Sequence, residues 1–302
     1  ATQPDVVITI DAPGFCFRVA KACRKHWPKG TKSAPRFIHY VAPSVWAYKP
    51  GRAKKVAALY DHVLTLLPFE PPYFDDAGME ATFVGHPLVE TAEDIAPDGI
   101  MFRTRHAIPG DAPLVAALPG SRLGEVKRHL PLLREATALL IQQEPKLVMT
   151  MPVVPHLTAA VREMTQHWPC KLVVVNESTE KWNAFDAANI ALAKSGTVTL
   201  ELALFNTPMV VFYKVNPVSA WLIKQMLRVP YVSLINILAD AHVVPELLQD
   251  DATPEALSEA ALLLLHSSNA QTKACEEGLR KLGLGDAKTP SEKAAEVVLS
   301  AT

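Results

Sequence analysis

Short β-branched runs alternate with longer stretches of helical periodicity along most of this 302-residue chain. That alternation restricts the fold more than any other feature. Runs at Val6–Ile10, 36–41, 62–66, 81–84, Leu114–Leu118, 146–151, 171–175, 189–193 and Met209–Tyr213 read as strands. Amphipathic patterns at 15–26, 52–60, 125–143, 157–167, 197–205 and 217–227 read as helices between most of them. A strand–helix–strand rhythm builds βαβ units, and so parallel sheets with helices on both faces. With 49% hydrophobic residues, a chain of this length can fill two cores.

The rhythm breaks between residues 85 and 110. That stretch holds a Gly-His-Pro turn, the acidic run at 90–94, Pro97 and Pro109. A domain boundary there predicts one Rossmann-like domain at 1–95 and a second at 96–285. After about residue 253 the pattern is wholly helical. The last segment, 286–302, is expected to carry a helix (about 291–300) that returns to the first domain. The chain opens at Ala1 and within five residues enters VVITI. Such a run reads as a strand buried inside a parallel sheet, and it predicts further sequence upstream of Ala1.

Several classes are excluded. A formal net charge of -1 gives no basic footprint for nucleic acid, and no apolar run is long enough to span a bilayer. Cys16, Cys23, Cys170 and Cys275 form no CxxC pair and read as reduced thiols. GxGxxG, the Walker loop and HExxH are missing. Without an Asp-x-Asp pair, the expectation is a site with no metal and no cofactor.

Ligands of parallel α/β sheets sit at the carboxyl ends of strands, so the residues that follow each strand are the candidates. Asp11 follows the first strand directly and reads either as a general base or substrate ligand, or as an N-cap. In Leu118-Pro-Gly-Ser-Arg122, Gly120 permits close backbone approach. Beside Ser121, Arg122 offers a fork of donors to a diphosphate, or is a solvated turn residue. In Lys194-Ser-Gly-Thr-Val-Thr-Leu-Glu201, Ser195 reads as an N-cap. The N–H groups of Gly196, Thr197 and Val198 would then meet an anion. Thr197 and Glu201 share a helix face, so the carboxylate could hold a ribose. An apolar helix surrounds Glu201, and a carboxylate there needs a partner. Asn236 could bind a base or phosphate, or cap a turn. Of His39, His62 and His86, only His86 in the Gly-His-Pro turn is taken as a site candidate.

Eight stretches together resemble the lipid-A-disaccharide synthase family: IDAPGF (10–15), IHYVAPSVWAY (38–48), LPFEPPYF (67–74), FVGHPLVE (83–90), LPGSRLGEV (118–126), SGTVTLELAL (195–204), TPMVVFYKV (207–215) and YVSLINILA (231–239). They run in the family's order. The resemblance implies an α/β fold of GT-B type, with two Rossmann-like parallel-sheet domains, the N-terminal one incomplete, and a helical C-terminal tail. It implies metal-free, inverting transfer of 2,3-diacylglucosamine from UDP to 2,3-diacylglucosamine 1-phosphate, giving the β-1',6-linked lipid A precursor. Asp11, Arg122, Glu201 and Asn236 match positions the family uses in or near its site. The family's glycine-rich GExSGD-type segment would precede Ala1, and Gly14 stands where the family usually has an acidic residue.

In this reading Asp11 is the general base, and Arg122 with the N–H groups at 196–198 steadies the departing UDP. The implied partners are the two acylated sugars, an anionic membrane surface and, as a candidate homodimer, a second copy of the chain. The implied location is cytoplasmic, peripheral to the inner membrane. Two clusters of aromatic and basic residues suit such a surface, or equally are core-facing aromatics with a solvated basic rim: Trp46 and Tyr48 beside Lys49, Arg52, Lys54 and Lys55, and Trp221, Leu222 and Met226 beside Lys224 and Arg228. The alternatives are another UDP-sugar enzyme of the same fold, a 2-epimerase or a MurG-like transferase, and a non-catalytic UDP-binding fragment.

Overall fold

The computed structural model describes residues 3–47, 51–216, 230–267 and 269–301. They fall into two compact units. The first takes its described residues from Ala1–Ala92 and Arg280–Thr302, and the second from Glu93–Lys224 and Pro230–Leu279.

The first unit holds a four-stranded sheet in the order β1 (Val6–Ile10), β2 (Arg36–Tyr40), β3 (His62–Thr65), β4 (Glu80–Phe83). All three pairings are parallel, with Val6 opposite Arg36, Ile38 opposite His62 and His62 opposite Glu80. Successive strand residues point to opposite faces. Phe37 therefore joins a core with Ala20, Val56 and Phe74, from α1 (Pro13–Cys23), α2 (Arg52–Ala57) and α3 (Pro71–Asp75). Ile38 faces the other way, where Leu64, Val84 and Ala294 of the C-terminal helix Pro290–Leu299 cover it. That helix begins with a capping box between Thr289 and Glu292. It is tied down by Ser291 Oγ, which donates to Glu90 Oε2 at 2.8 Å.

VVITI forms a parallel strand, as expected. Among the described residues β1 pairs only with β2, and Ile8 and Ile10 are 45% and 61% exposed, so the strand is apolar on both faces. Trp46 was open between a membrane contact and a core position, and the core position holds. Its indole is buried, and Nε1 donates to Glu70 Oε1 at 2.9 Å. The other oxygen of Glu70 accepts the Leu66 and Leu67 N–H groups at 3.1 and 3.0 Å. The ring therefore braces the turn after β3. Tyr48, Lys49 and the whole cluster from Trp221 to Arg228 lie outside the described residues, as does the helix expected at 217–227.

The second unit is a six-stranded parallel sheet in the order β10-β9-β8-β5-β6-β7. Its strands are β5 (Leu114–Leu118), β6 (Val148–Pro152), β7 (Leu172–Val175), β8 (Ile190–Lys194), β9 (Met209–Tyr213) and β10 (Glu246–Leu248). Central β5 is buried at every position. Val115 and Ala117 pack under Val126, Leu130 and Leu133 of the long helix Leu123–Gln143. Leu114 faces Phe102, Ala184 and Ala187 on the other side. β5 pairs with β6 on one side and with β8 on the other. The connections that leave β5 and β8 run in opposite directions, toward β6 and β9, which opens a crevice at the carboxyl ends of the strands.

Among the described residues, no helix is long and apolar enough to cross a membrane.

Candidate functional site

A cavity of about 430 Å³ lies at that crevice, lined by the ends of four strands and the loops that follow them. Gly120, Ser121 and Arg122 come from the loop after β5, and Pro152–Pro155 from the end of β6 and its loop. Val175–Ser178 and Lys181 follow β7, and Lys194–Val198 with Glu201 follow β8. Seven of the ten predicted site residues, Ser121, Arg122, Ser195, Gly196, Thr197, Val198 and Glu201, therefore share one cavity.

The loop after β5 is fixed from beneath by the helix Leu123–Gln143. Gly120 has φ +122, and a Cβ there would lie 2.5 Å from Glu125 Oε2. Only glycine suits both the left-handed backbone and the contact. Glu125 accepts the Ser121 N–H at 3.2 Å and an Arg122 guanidinium N–H at 3.2 Å, and Lys194 Nζ lies 3.4 Å from its Oε1. Burial pushes its carboxyl up. Lys194, the Ser121 N–H and Arg122 outweigh that and hold it below the usual carboxylate range. One turn along, buried His129 has Nδ1 2.6 Å from the Pro119 carbonyl. Burial lowers its pKa. Its Nε2 lies 3.1 Å from the Lys214 carbonyl oxygen and 3.3 Å from the Lys214 nitrogen, so the ring ties the loop after β5 to the end of β9. The Arg122 side chain itself is 80% exposed, so it can reach a ligand.

The turn after β8 differs in detail from the sequence reading. Ser195 was expected to cap the helix. Instead its Oγ donates to the Val232 carbonyl at 3.2 Å, the helix is Val198–Leu204, and its N-cap is Thr197. The N–H groups of Gly196, Thr197 and Val198 precede any i−4 carbonyl and make no hydrogen bond among the described residues. Glu201 finds its partner in Lys181, whose Nζ lies 3.1 Å from Oε2 and 3.7 Å above the Trp182 ring. Its Oε1 makes no hydrogen bond among the described residues.

The remaining three predicted residues line no part of this cavity. Asn236 is fully buried, and its amide is spent on the protein. Nδ2 donates to the Val244 carbonyl and to Glu246 Oε1, both at 2.8 Å, and Oδ1 accepts the Val243 and Val244 N–H groups. Those bonds use all four of its hydrogen-bonding positions, so it braces the approach to β10 instead of facing a ligand. His86 belongs to the first unit. Its N–H donates to the Leu282 carbonyl at 2.9 Å, and its Nδ1 accepts the Leu88 N–H at 3.2 Å. A Cβ on Gly85 would lie 2.9 Å from that same carbonyl, so the Gly-His-Pro turn serves to seat the returning chain. Asp11, also in the first unit, ends β1 with φ 47, followed by Ala12 with φ 42. The cap of α1 is Ala12, with no side-chain bond. The Asp11 carboxylate is exposed and makes no hydrogen bond among the described residues.

Lys181, Lys194 and Glu125 were missed as site residues. Lys194 had a signal, as a lone charge closing the apolar strand IALA. Lys181 had none, because its helix is mixed in character.

The LpxB family profile, described as lipid-A-disaccharide synthetase, matches residues 1–298. The lipid-A-disaccharide synthase of Rhodospirillum centenum is 47% identical over 300 residues, which cover 98% of this chain and 73% of that protein. That of Ruegeria pomeroyi is 43% identical over 308 residues, covering 99% and 75%. The chain belongs to the lipid-A-disaccharide synthase family. Lipid-A-disaccharide synthases are glycosyltransferases of lipid A biosynthesis. Among solved structures, the S. aureus MnaA–UDP co-structure aligns with a TM-score of 0.64 at 13% identity, over 99% of this chain and 77% of that one. The Neisseria meningitidis UDP-GlcNAc 2-epimerase bound to UDP-GlcNAc aligns at 0.62 and 10%, over 98% and 76%. At such identities the likeness is one of fold, the GT-B arrangement of two Rossmann-like sheets. The epimerase alternative rests on fold alone, whereas membership of the synthase family rests on sequence along nearly the whole chain.

Proposed function

We propose that this chain transfers 2,3-diacylglucosamine from UDP to 2,3-diacylglucosamine 1-phosphate with inversion, forming the β-1',6-linked precursor of lipid A. One observation carries the donor half of the reading: the loop after β5, the turn after β8 and Glu201 line a single cavity at the point where the strand order reverses. Arg122 and the N–H groups of residues 196–198 would meet the diphosphate, and Glu201 Oε1 the ribose hydroxyls.

In the step itself the acceptor's primary hydroxyl oxygen attacks the anomeric carbon. The bond from that carbon to the β-phosphate oxygen breaks, and UDP leaves with the electron pair. Asp11 takes the hydroxyl proton, and Arg122 stabilises the charge that grows on UDP. Support for Asp11 is its free carboxylate at a strand's carboxyl end, in a backbone conformation that costs energy. Neighbouring outliers, Ala12 and Val41 (φ 75), cluster at the ends of β1 and β2.

Acylated substrates would bring the enzyme to the cytoplasmic face of the inner membrane, where exposed Lys54 and Lys55 suit anionic headgroups. The deciding experiment pairs calorimetry with UDP and mass spectrometry of the disaccharide product. Heat of binding and product formation are expected. No heat with UDP on folded protein would overturn the donor reading, and UDP binding without product would reduce the chain to a donor-binding fragment. Asp11→Asn should lower turnover and leave UDP affinity unchanged.

A further inference from the structure

The carboxyl end of β8 carries a cation that the reading above leaves without a task. Lys194 lines the cavity with its side chain 19% exposed. Its only polar neighbour among the described residues is Glu125, at 3.4 Å, and its ammonium sits 5.1 Å from the Tyr213 ring centroid. An ammonium has three donors, and a largely buried one with a single long carboxylate contact is under-satisfied. Glu125 is already shared, since it also holds the Ser121 N–H and Arg122. This wall therefore carries two cations for one carboxylate. The opposite wall differs, because there Lys181 and Glu201 balance each other one to one.

The excess charge lies beside the turn after β8. A Cβ built on Gly196 would come 3.8 Å from Lys194 Nζ, so the ammonium sits beside the turn whose N–H groups at 196–198 make no hydrogen bond among the described residues. Glu125 sets the geometry, because one carboxylate fixes Ser121, Arg122 and Lys194 together.

Resting on the donor reading above, we infer that Lys194 is a second cation of the diphosphate subsite, and that Glu125 is the positioning residue that holds Lys194 and Arg122 at a common spacing. An enzyme that neutralises a diphosphate with side chains needs more than one fixed charge. This wall supplies two, from different strands, cross-linked by one acid.

The test compares UDP with uridine, which lacks the diphosphate, by NMR titration of unmodified protein, Lys194→Met, Lys194→Arg and Glu125→Gln. Lys194→Met should weaken UDP about 10- to 100-fold and leave uridine affinity unchanged. Lys194→Arg, which keeps the charge, should recover most of the loss. Glu125→Gln should weaken UDP less than Lys194→Met and again spare uridine. Equal losses for UDP and uridine in Lys194→Met, or UDP affinity unaltered by it, overturn the assignment of Lys194 while the donor reading stands. Failure of the unmodified chain to bind UDP removes both. If Lys194→Met does not fold, Lys194→Gln takes its place under the same criteria.

Discussion

A Cβ on residue 120 would lie 2.5 Å from Glu125 Oε2, so the backbone of the loop after β5 rests directly on a carboxylate of the next helix. Gly120→Ala forces that carboxylate away from the Ser121 N–H and puts a side chain in a left-handed conformation. Unfolding free energy should fall by about 1–3 kcal/mol, measured by urea denaturation. UDP affinity should fall more steeply than stability alone predicts, because Arg122 loses its anchor.

Glu201 and Lys181 make the second test. If Glu201 Oε1 accepts the ribose hydroxyls, unmodified protein should bind UDP more tightly than 2'-deoxy-UDP. Glu201→Ala should abolish that preference. Competition calorimetry with the two nucleotides reads it. A preference that persists in the variant assigns the ribose to another residue.

Asn236→Ala should act on stability and not on ligand binding. The substitution leaves the Val243 and Val244 N–H groups and Glu246 without their partner in a buried place. A loss of about 2–3 kcal/mol is expected. UDP affinity measured below the unfolding transition should be unchanged. A selective loss of affinity in a variant of normal stability would return Asn236 to the site.

The stability that His39 gives the first unit should fall in mild acid. His39 is fully buried, with Nδ1 2.8 Å from Thr9 Oγ1. Burial lowers its pKa to about 4, against smaller raising effects from Thr9 and Asp11. The unfolded chain, at the ordinary value of about 6.5, binds the proton first as pH falls. The contribution is therefore fully present above pH 6.5 and lost progressively down to about 4. Its full size is about 3 kcal/mol. Burial raises the Glu70 carboxyl to about 7, which acts in the opposite direction over the same range, so the His39 share is the difference in thermal unfolding between unmodified protein and His39→Gln, and that difference should shrink from pH 7.5 to 5.

Most of this architecture could be read from the chain because its signals are local. All nine expected strands form, since each is a short apolar run bounded by turn residues. β10 was missed because three residues, Glu246 to Leu248, show no period. The helix expected at 157–167 divides into a 3-10 turn at Pro155–Leu157 and a helix at Thr158–Met164, because Pro155 fixes the entry. Loops at strand ends were legible as a cavity, since topology alone puts them together. The cap role expected of Ser195 and the choice left open for Asn236 were not legible, for the opposite reason. Their partners, Val232 and the 243–246 segment, are chosen by tertiary packing, and cap-forming side chains look alike in sequence whether they face a ligand or the backbone. The Lys181–Glu201 and Lys194–Glu125 pairs span 20 and 69 positions, and no periodicity records such a distance.

The strip formed by Ile38, Leu64 and Val84 is packed against Ala294 and its neighbours on the C-terminal helix. On the ribosome, the six-stranded sheet has all its strands by residue 248. The four described strands of the other sheet are made by residue 83, and the helix that packs on them follows some two hundred codons later. In that interval the face it packs on needs shelter, and a mutation that slows translation near the end of the message would prolong the exposure without altering a single contact in the finished protein.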